Sequence, residues 1–201
     1  MAEGEAVSTA ESARRKLLDL ILEKSYREGD FMLSSGAKST FYIDLKAALL
    51  HPEGAKALGE LAADWMKRSN LSFEGVGGLT LGADPIVMAV SLGALAEGIV
   101  LPATMIRKEP KKHGTSRFIE GVENFKKGDR FLVVEDVVTT GASAKKAIEI
   151  LKNEGYRPTH LLTVVDREVG GGADVMGVEF HALFSLSEIQ SAFSAKHRNP
   201  K

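Results

Sequence analysis

Hydrophobic and polar positions alternate along this chain with two different periods. In "SARRKLLDLILEKSY" the apolar residues recur at helical spacing, with Leu17, Leu20 and Ile21 on one face, and predict an amphipathic helix. "GDFMLSSGAKSTFYIDLKAALL" interleaves aromatic and β-branched residues with turn formers, which predicts short strands around the turn Ser35-Gly36. The helical period returns in "HPEGAKALGELAADWMKRS" through Leu58, Leu61, Ala62 and Trp65, and Pro52 suits a helix start. Strands and helices then take turns. "FEGVGG" reads as a strand, Ala83 to Glu97 as a helix, and "GIVLPATMIR" as the next strand. After a polar loop come the strand "RFLVVED", a helix from Ala142 to Asn153, and the strands "THLLTVVD" and "VEFHALFSL". In that helix Ala144, Ala147, Ile148 and Leu151 mark the buried face. Nearly all-apolar strands alternating with helices predict an α/β fold, with a central, mainly parallel sheet flanked by helices. Ligands of such folds bind beyond the carboxyl ends of the strands.

Composition narrows this picture. A chain of 201 residues suits one domain: the small, polar residues 1–10 are expected to be disordered, and 11–201 to form the domain. Net charge is −1, so no general attraction to nucleic acid or to a membrane surface is implied. The absence of cysteine excludes disulfides and thiolate metal sites. No stretch is long and apolar enough to span a bilayer, and "MAEGEAVSTAES" is unlike a signal peptide, so a cytoplasmic protein is expected.

The chemistry concentrates at strand ends. "FLVVEDVVTTGAS" ends a buried strand in Glu135 and Asp136, then turns through Thr139, Thr140, Gly141 and Ser143 into a helix. Free N–H groups at a helix start, with hydroxyls and a glycine beside them, suit a phosphate; the plainer reading is a helix cap. Carboxylates would repel that phosphate, so they face hydroxyl groups or a divalent cation of the same ligand, which describes a sugar phosphate. "IRKEPKKHGTSRFIEG" gathers Arg107, Lys108, Lys111, Lys112, His113 and Arg117 within eleven residues. A solvated loop is the ordinary fate of such a run. Its place after a buried strand suggests instead a cover that closes over an anion. In "VVDREVGGG", Arg167 stands at another strand end, where a planar cation can take a carboxylate, unless Asp166 or Glu168 pairs with it.

"VVEDVVTTGAS" resembles the phosphoribosyl diphosphate signature of the type I phosphoribosyltransferases, and "RKExKxHG" resembles the catalytic loop of the orotate phosphoribosyltransferases in particular. The resemblance spans about Phe31 to Glu188 and implies a hood built from about residues 11–50. It implies transfer of phosphoribosyl from phosphoribosyl diphosphate to orotate in pyrimidine synthesis. Glu135 and Asp136 would contact the ribose, and Val137, Val138, Thr139, Thr140, Gly141, Ala142 and Ser143 would wrap the 5-phosphate. Arg107, Lys108, Lys111 and His113 would contact the diphosphate, with Lys111 foremost, and Lys112 would be a solvated neighbour. Thr139, Arg167, Phe41 and Tyr42 would hold orotate, with Ser35-Gly36 lining the base. Gly77, Gly78 and Gly82 would let backbone approach the diphosphate. Mg2+ would be held mainly by the substrate, and a homodimer would contribute the catalytic loop in trans. The chain departs from some members at Ser34 and Gly82, where those carry lysine. Two rivals are another phosphoribosyltransferase, acting on a purine, and a non-catalytic sensor of phosphoribosyl diphosphate. Arg167 and the cationic loop speak against the first, and the lack of a DNA-reading element against the second.

Overall fold

The computed structural model describes residues 9–32, 36, 38–110, 117–170 and 177–198. Helix α1 (Thr9–Lys24) starts just inside the segment expected to be disordered, and buries Leu17, Leu20 and Ile21 as its spacing predicts. Strands β1 (Tyr26–Met32) and β2 (Lys38–Ile43) pair antiparallel, the short strands expected on either side of Ser35-Gly36. The sequence pattern does not reveal the short helix α2 (Lys46–Leu49) that follows; it is pinned by buried Leu45, Ala48 and Leu49. Helix α3 (Pro52–Arg68) then leads into β3 (Gly75–Leu79), α4 (Asp84–Ala96) and β4 (Ala103–Ile106). Strand β4 is shorter than its apolar run, because Pro102, which has no N–H for a ladder, precedes it. The remaining elements are β5 (Arg130–Val138), α5 (Ala142–Asn153), β6 (Arg157–Asp166), β7 (Glu179–Ser185) and α6 (Leu186–Arg198).

The main sheet has five strands in the order β4-β3-β5-β6-β7, all parallel, as expected. Period-two alternation divides β5 between two cores. Leu132 and Val134 pack with residues of α1, α3 and α4, while Phe131 and Val133 pack with Ala144, Ala147, Ile148 and Leu151 of α5. Burial on both faces explains why the strands read as continuous apolar runs.

Candidate active site

From β3 the chain passes through α4 to β4 on one side, then crosses to β5 on the other side of β3. The loops after β3 and β5 therefore diverge, and a crevice opens at their carboxyl ends. A cleft of about 490 Å³ lies there. Glu135, Asp136 and Ser143 form one wall, Leu79, Thr80, Leu81 and Gly82 face them, and Lys46 and Lys108 complete the lining.

The two acids differ in state. Glu135 is 6% exposed, and its Oε2 has no hydrogen-bond partner. Burial, then a hydrogen bond to Asp136 and that neighbour's charge, push the Glu135 carboxyl up to about 8. Asp136 is half-buried, and its Oδ1 accepts the Val137 N–H at 2.8 Å. The two acids therefore differ in the free protein, where burial and the neighbouring Asp136 favour the protonated form of Glu135. Among the described residues, no group of three His, Cys, Asp or Glu side chains could hold a metal ion.

The turn beyond β5 enters α5 through Gly141, whose φ of 73° is left-handed and favours glycine. No side chain caps this helix, so neither Thr140 nor Ser143 spends its hydroxyl on the first-turn N–H groups. Those donors stay available to an anion, which removes the plainer reading of the hydroxyls as helix caps. The Val138 side chain belongs to the core at 1% exposure, so only its backbone can serve the turn. Thr139 is half-buried, whereas Thr140, Ala142 and Ser143 are exposed.

Of the cationic stretch, Lys108 lines the cleft, and its charge acts on Glu135. Arg107 is held elsewhere, with Nε 2.6 Å from Glu120 Oε1, and does not line that cleft. Lys111, Lys112 and His113 fall outside the described residues, as do Ser34 and Ser35. The three glycines split. A Cβ on Gly78 would lie 2.4 Å from that of Ala83 and 2.5 Å from the Val134 carbonyl, and one on Gly77 would meet Thr104 at 2.7 Å. At both positions close packing against β4, β5 and the start of α4 already requires glycine, whatever approaches from the site. Gly82 does face the site: a Cβ there would lie 2.8 Å from an Asp136 carboxylate oxygen.

The other end of the site rests on β6. The Arg167 N–H donates to the Val138 carbonyl at 2.9 Å, and the guanidinium lies over the Phe41 ring, 4.9 Å from its centroid. Its neighbours are engaged otherwise. Asp166 accepts the Glu168 N–H, and the Glu168 carboxylate accepts both the N–H and the hydroxyl of Ser187. Arg167 Nε is buried and has no hydrogen-bond partner, and among the described residues Arg167 makes no ion pair with Asp166 or Glu168. Phe41 and Tyr42, adjacent on β2, point to opposite faces; Tyr42 is 45% exposed and packs against Phe31. They do not form one wall, because the strand period separates them. Lys46 escapes sequence reasoning as a site residue, whereas Thr80 and Leu81 belong to the "GGLTLGADP" loop that the sequence places beside the diphosphate. The one available signal for Lys46 is a lone cation in the otherwise apolar run "LKAALL" just beyond the hood strand.

Residues 85–192 match the phosphoribosyl transferase domain family. Orotate phosphoribosyltransferase from a Nostoc species is 44% identical over 190 residues, covering 94% of this chain and 90% of that protein. Orotate phosphoribosyltransferase of Mycobacterium tuberculosis in complex with Fe(III) dicitrate superposes with a TM-score of 0.76 at 34% identity. That comparison covers 88% of this chain and 98% of the other. The same protein in complex with 5-phospho-α-D-ribosyl 1-diphosphate gives 0.73 at 31% identity, covering 89% and 99%. With sequence and fold shared over most of its length, this chain belongs to the orotate phosphoribosyltransferases and has the type I phosphoribosyltransferase fold.

Proposed function

We propose that this chain transfers the 5-phosphoribosyl group of phosphoribosyl diphosphate to N1 of orotate, giving orotidine 5′-monophosphate and diphosphate. Arg167 carries the reading: a buried, unpaired guanidinium nitrogen stands one strand away from the Asp136 cleft. An orphaned cationic donor is costly to bury, and a carboxylate on a flat ring satisfies it bidentately. Phe41 keeps the guanidinium plane oriented, and Thr139, next to the Val138 carbonyl that accepts the Arg167 N–H, is proposed to share orotate.

At the donor end, the uncapped start of α5 and the 137–143 turn bind the 5-phosphate, while Asp136 and Glu135 take the ribose hydroxyls. The C1–O bond breaks with its electrons leaving on diphosphate, N1 of orotate forms the new bond to C1, and the proton that N1 loses passes to the departing diphosphate. Negative Asp136 beneath the ribose favours the positive charge that develops there. Lys108, with Arg107, Lys111 and His113 of the loop, draws off the departing charge. Arg107 must leave Glu120 to take part.

Two carboxyls cannot fill the coordination of a hard divalent cation, which needs about six oxygens. They fit one held mainly by the substrate, with Asp136 and Glu135 supplying the protein's share, directly or through water. Magnesium bound in that way supplies neutralisation of the diphosphate charge. A homodimer completes the reading, with each loop serving the neighbouring subunit. Its support is an apolar groove of about 530 Å³ between α3 and α4, flanked by exposed Leu50, Met88 and Leu92.

The test is steady-state turnover of orotate, uracil and purines with phosphoribosyl diphosphate and magnesium, on wild type and Arg167→Ala. Orotate alone should react. The variant should raise the orotate KM about tenfold or more while kcat stays within a few-fold. Turnover of a purine in place of orotate would refute the substrate assignment.

A further inference from the structure

A donor site holding Asp136 repels a diphosphate unless fixed cations intervene. Only two cationic side chains of the described residues line the cleft, Lys108 and Lys46. Lys108 follows Arg107 at the start of the 107–117 stretch. Lys46 sits on α2, which is anchored in the core. Beneath it Leu45, Ala48 and Leu49 are at most 1% exposed, the Ala48 N–H donates to Ser25 Oγ at 3.2 Å, and the Asp44 N–H donates to the Ser25 carbonyl.

Asp44 aims the side chain. Its Oδ1 accepts the Lys46 backbone N–H at 3.1 Å and lies 2.8 Å from Nζ. An ammonium group has three donors, so two remain for another acceptor. The hydrogen bond to Asp44, and beyond it the charges of Asp44 and Asp136, raise the ammonium above its ordinary pKa. Nor can the facing loop supply a cation without moving, since any side chain at position 82 would meet the Asp136 carboxylate.

We propose that Lys46 binds the diphosphate of the donor from the hood side of the cleft, as the fixed cation that balances Asp136. This rests on the donor reading given above. The plainer role, an exposed ion pair with Asp44, predicts no effect on ligands and little on stability.

The test compares Lys46→Met and Lys46→Arg with wild type, after equal melting temperatures show that all three fold. Inorganic diphosphate with magnesium is titrated calorimetrically, and KM is measured for both substrates. Lys46→Met should weaken diphosphate binding and raise the KM for phosphoribosyl diphosphate about tenfold or more at low salt, with the orotate KM within about twofold. Lys46→Arg should recover most of the loss. Diphosphate binding by Lys46→Met within about twofold of wild type would overturn the proposal. Wild-type protein that neither binds diphosphate nor consumes orotate would instead overturn the donor reading beneath it.

Discussion

Glu135 is buried in the wall of the cleft, and in the proposed reading it also meets a sugar; the two demands pull its proton in opposite directions. In the free protein, burial raises its carboxyl from 4.5 to about 8. Since the folded value is the higher, the folded chain binds the extra proton. Its contribution to stability is complete below about 4.5 and is lost as pH rises towards about 8. The slope in that window is at most about 1.4 kcal/mol per pH unit. Glu135→Gln cannot ionise, so it should gain on wild type as pH climbs from 5 to 8, with the two converging near pH 4.5. Denaturant unfolding across this range measures the difference, and parallel curves would show that Glu135 titrates normally. Hydroxyl donors of a bound ribose would favour the carboxylate, so in the proposed reading donor binding would release this buried proton.

At the scale of elements, the segment from β5 to α5 was legible because two independent signals coincide there. A short continuous apolar run following a turn suits a strand covered on both faces, and Glu135-Asp136 at its tip interrupts the pattern with charge. Gly141 then marks the turn, and Ala144, Ala147 and Ile148 the helix. What sequence spacing could not convey is contact between distant segments. Nothing local says that Phe41 lies under Arg167, that Lys46 faces Asp136, or that Gly78 is small because Ala83 and Val134 press on it. The same holds where α3 crosses α4. A Cβ on Gly93 would lie 2.3 Å from the Gly59 carbonyl oxygen, so the two backbones touch with no room for a methyl group. Gly93→Ala gains helix propensity and would stabilise an isolated helix. Here it should instead destabilise the fold by about 1–3 kcal/mol, because two helices must part. Urea unfolding decides between the signs, and a more stable variant would mean that the crossing is loose.

For the whole molecule, the question is whether one chain contains a complete site. Lys108 stands in the cleft, but the next loop residue with a described cation, Arg117, pairs with Glu123 at 3.1 Å on the way back. Exposed Leu50, Met88, Leu92 and Leu95 meanwhile offer an apolar surface beside α4, the helix that starts at the Leu79–Gly82 wall. A second copy seated there would bury this surface and could lend its loop. The arrangement makes a quantitative demand. Lys111→Ala should lose maximal rate, and Arg167→Ala should lose orotate affinity, so each homodimer is impaired at both sites. If loops act in trans, a mixed dimer contains one site with an intact loop and an intact Arg167. Random mixing should then restore about a quarter of wild-type turnover at low orotate. If loops act in cis, every site in the mixture keeps one lesion, and activity stays at the mean of the two parents. Leu92→Glu places a charge on the apolar face, where Leu92 is 59% exposed in the single chain and the fold itself should tolerate it. That variant should sediment as a monomer and abolish the complementation. Retention of the dimer by Leu92→Glu would move the interface to another face, whereas failure of verified mixed dimers to complement would return the loop to its own subunit.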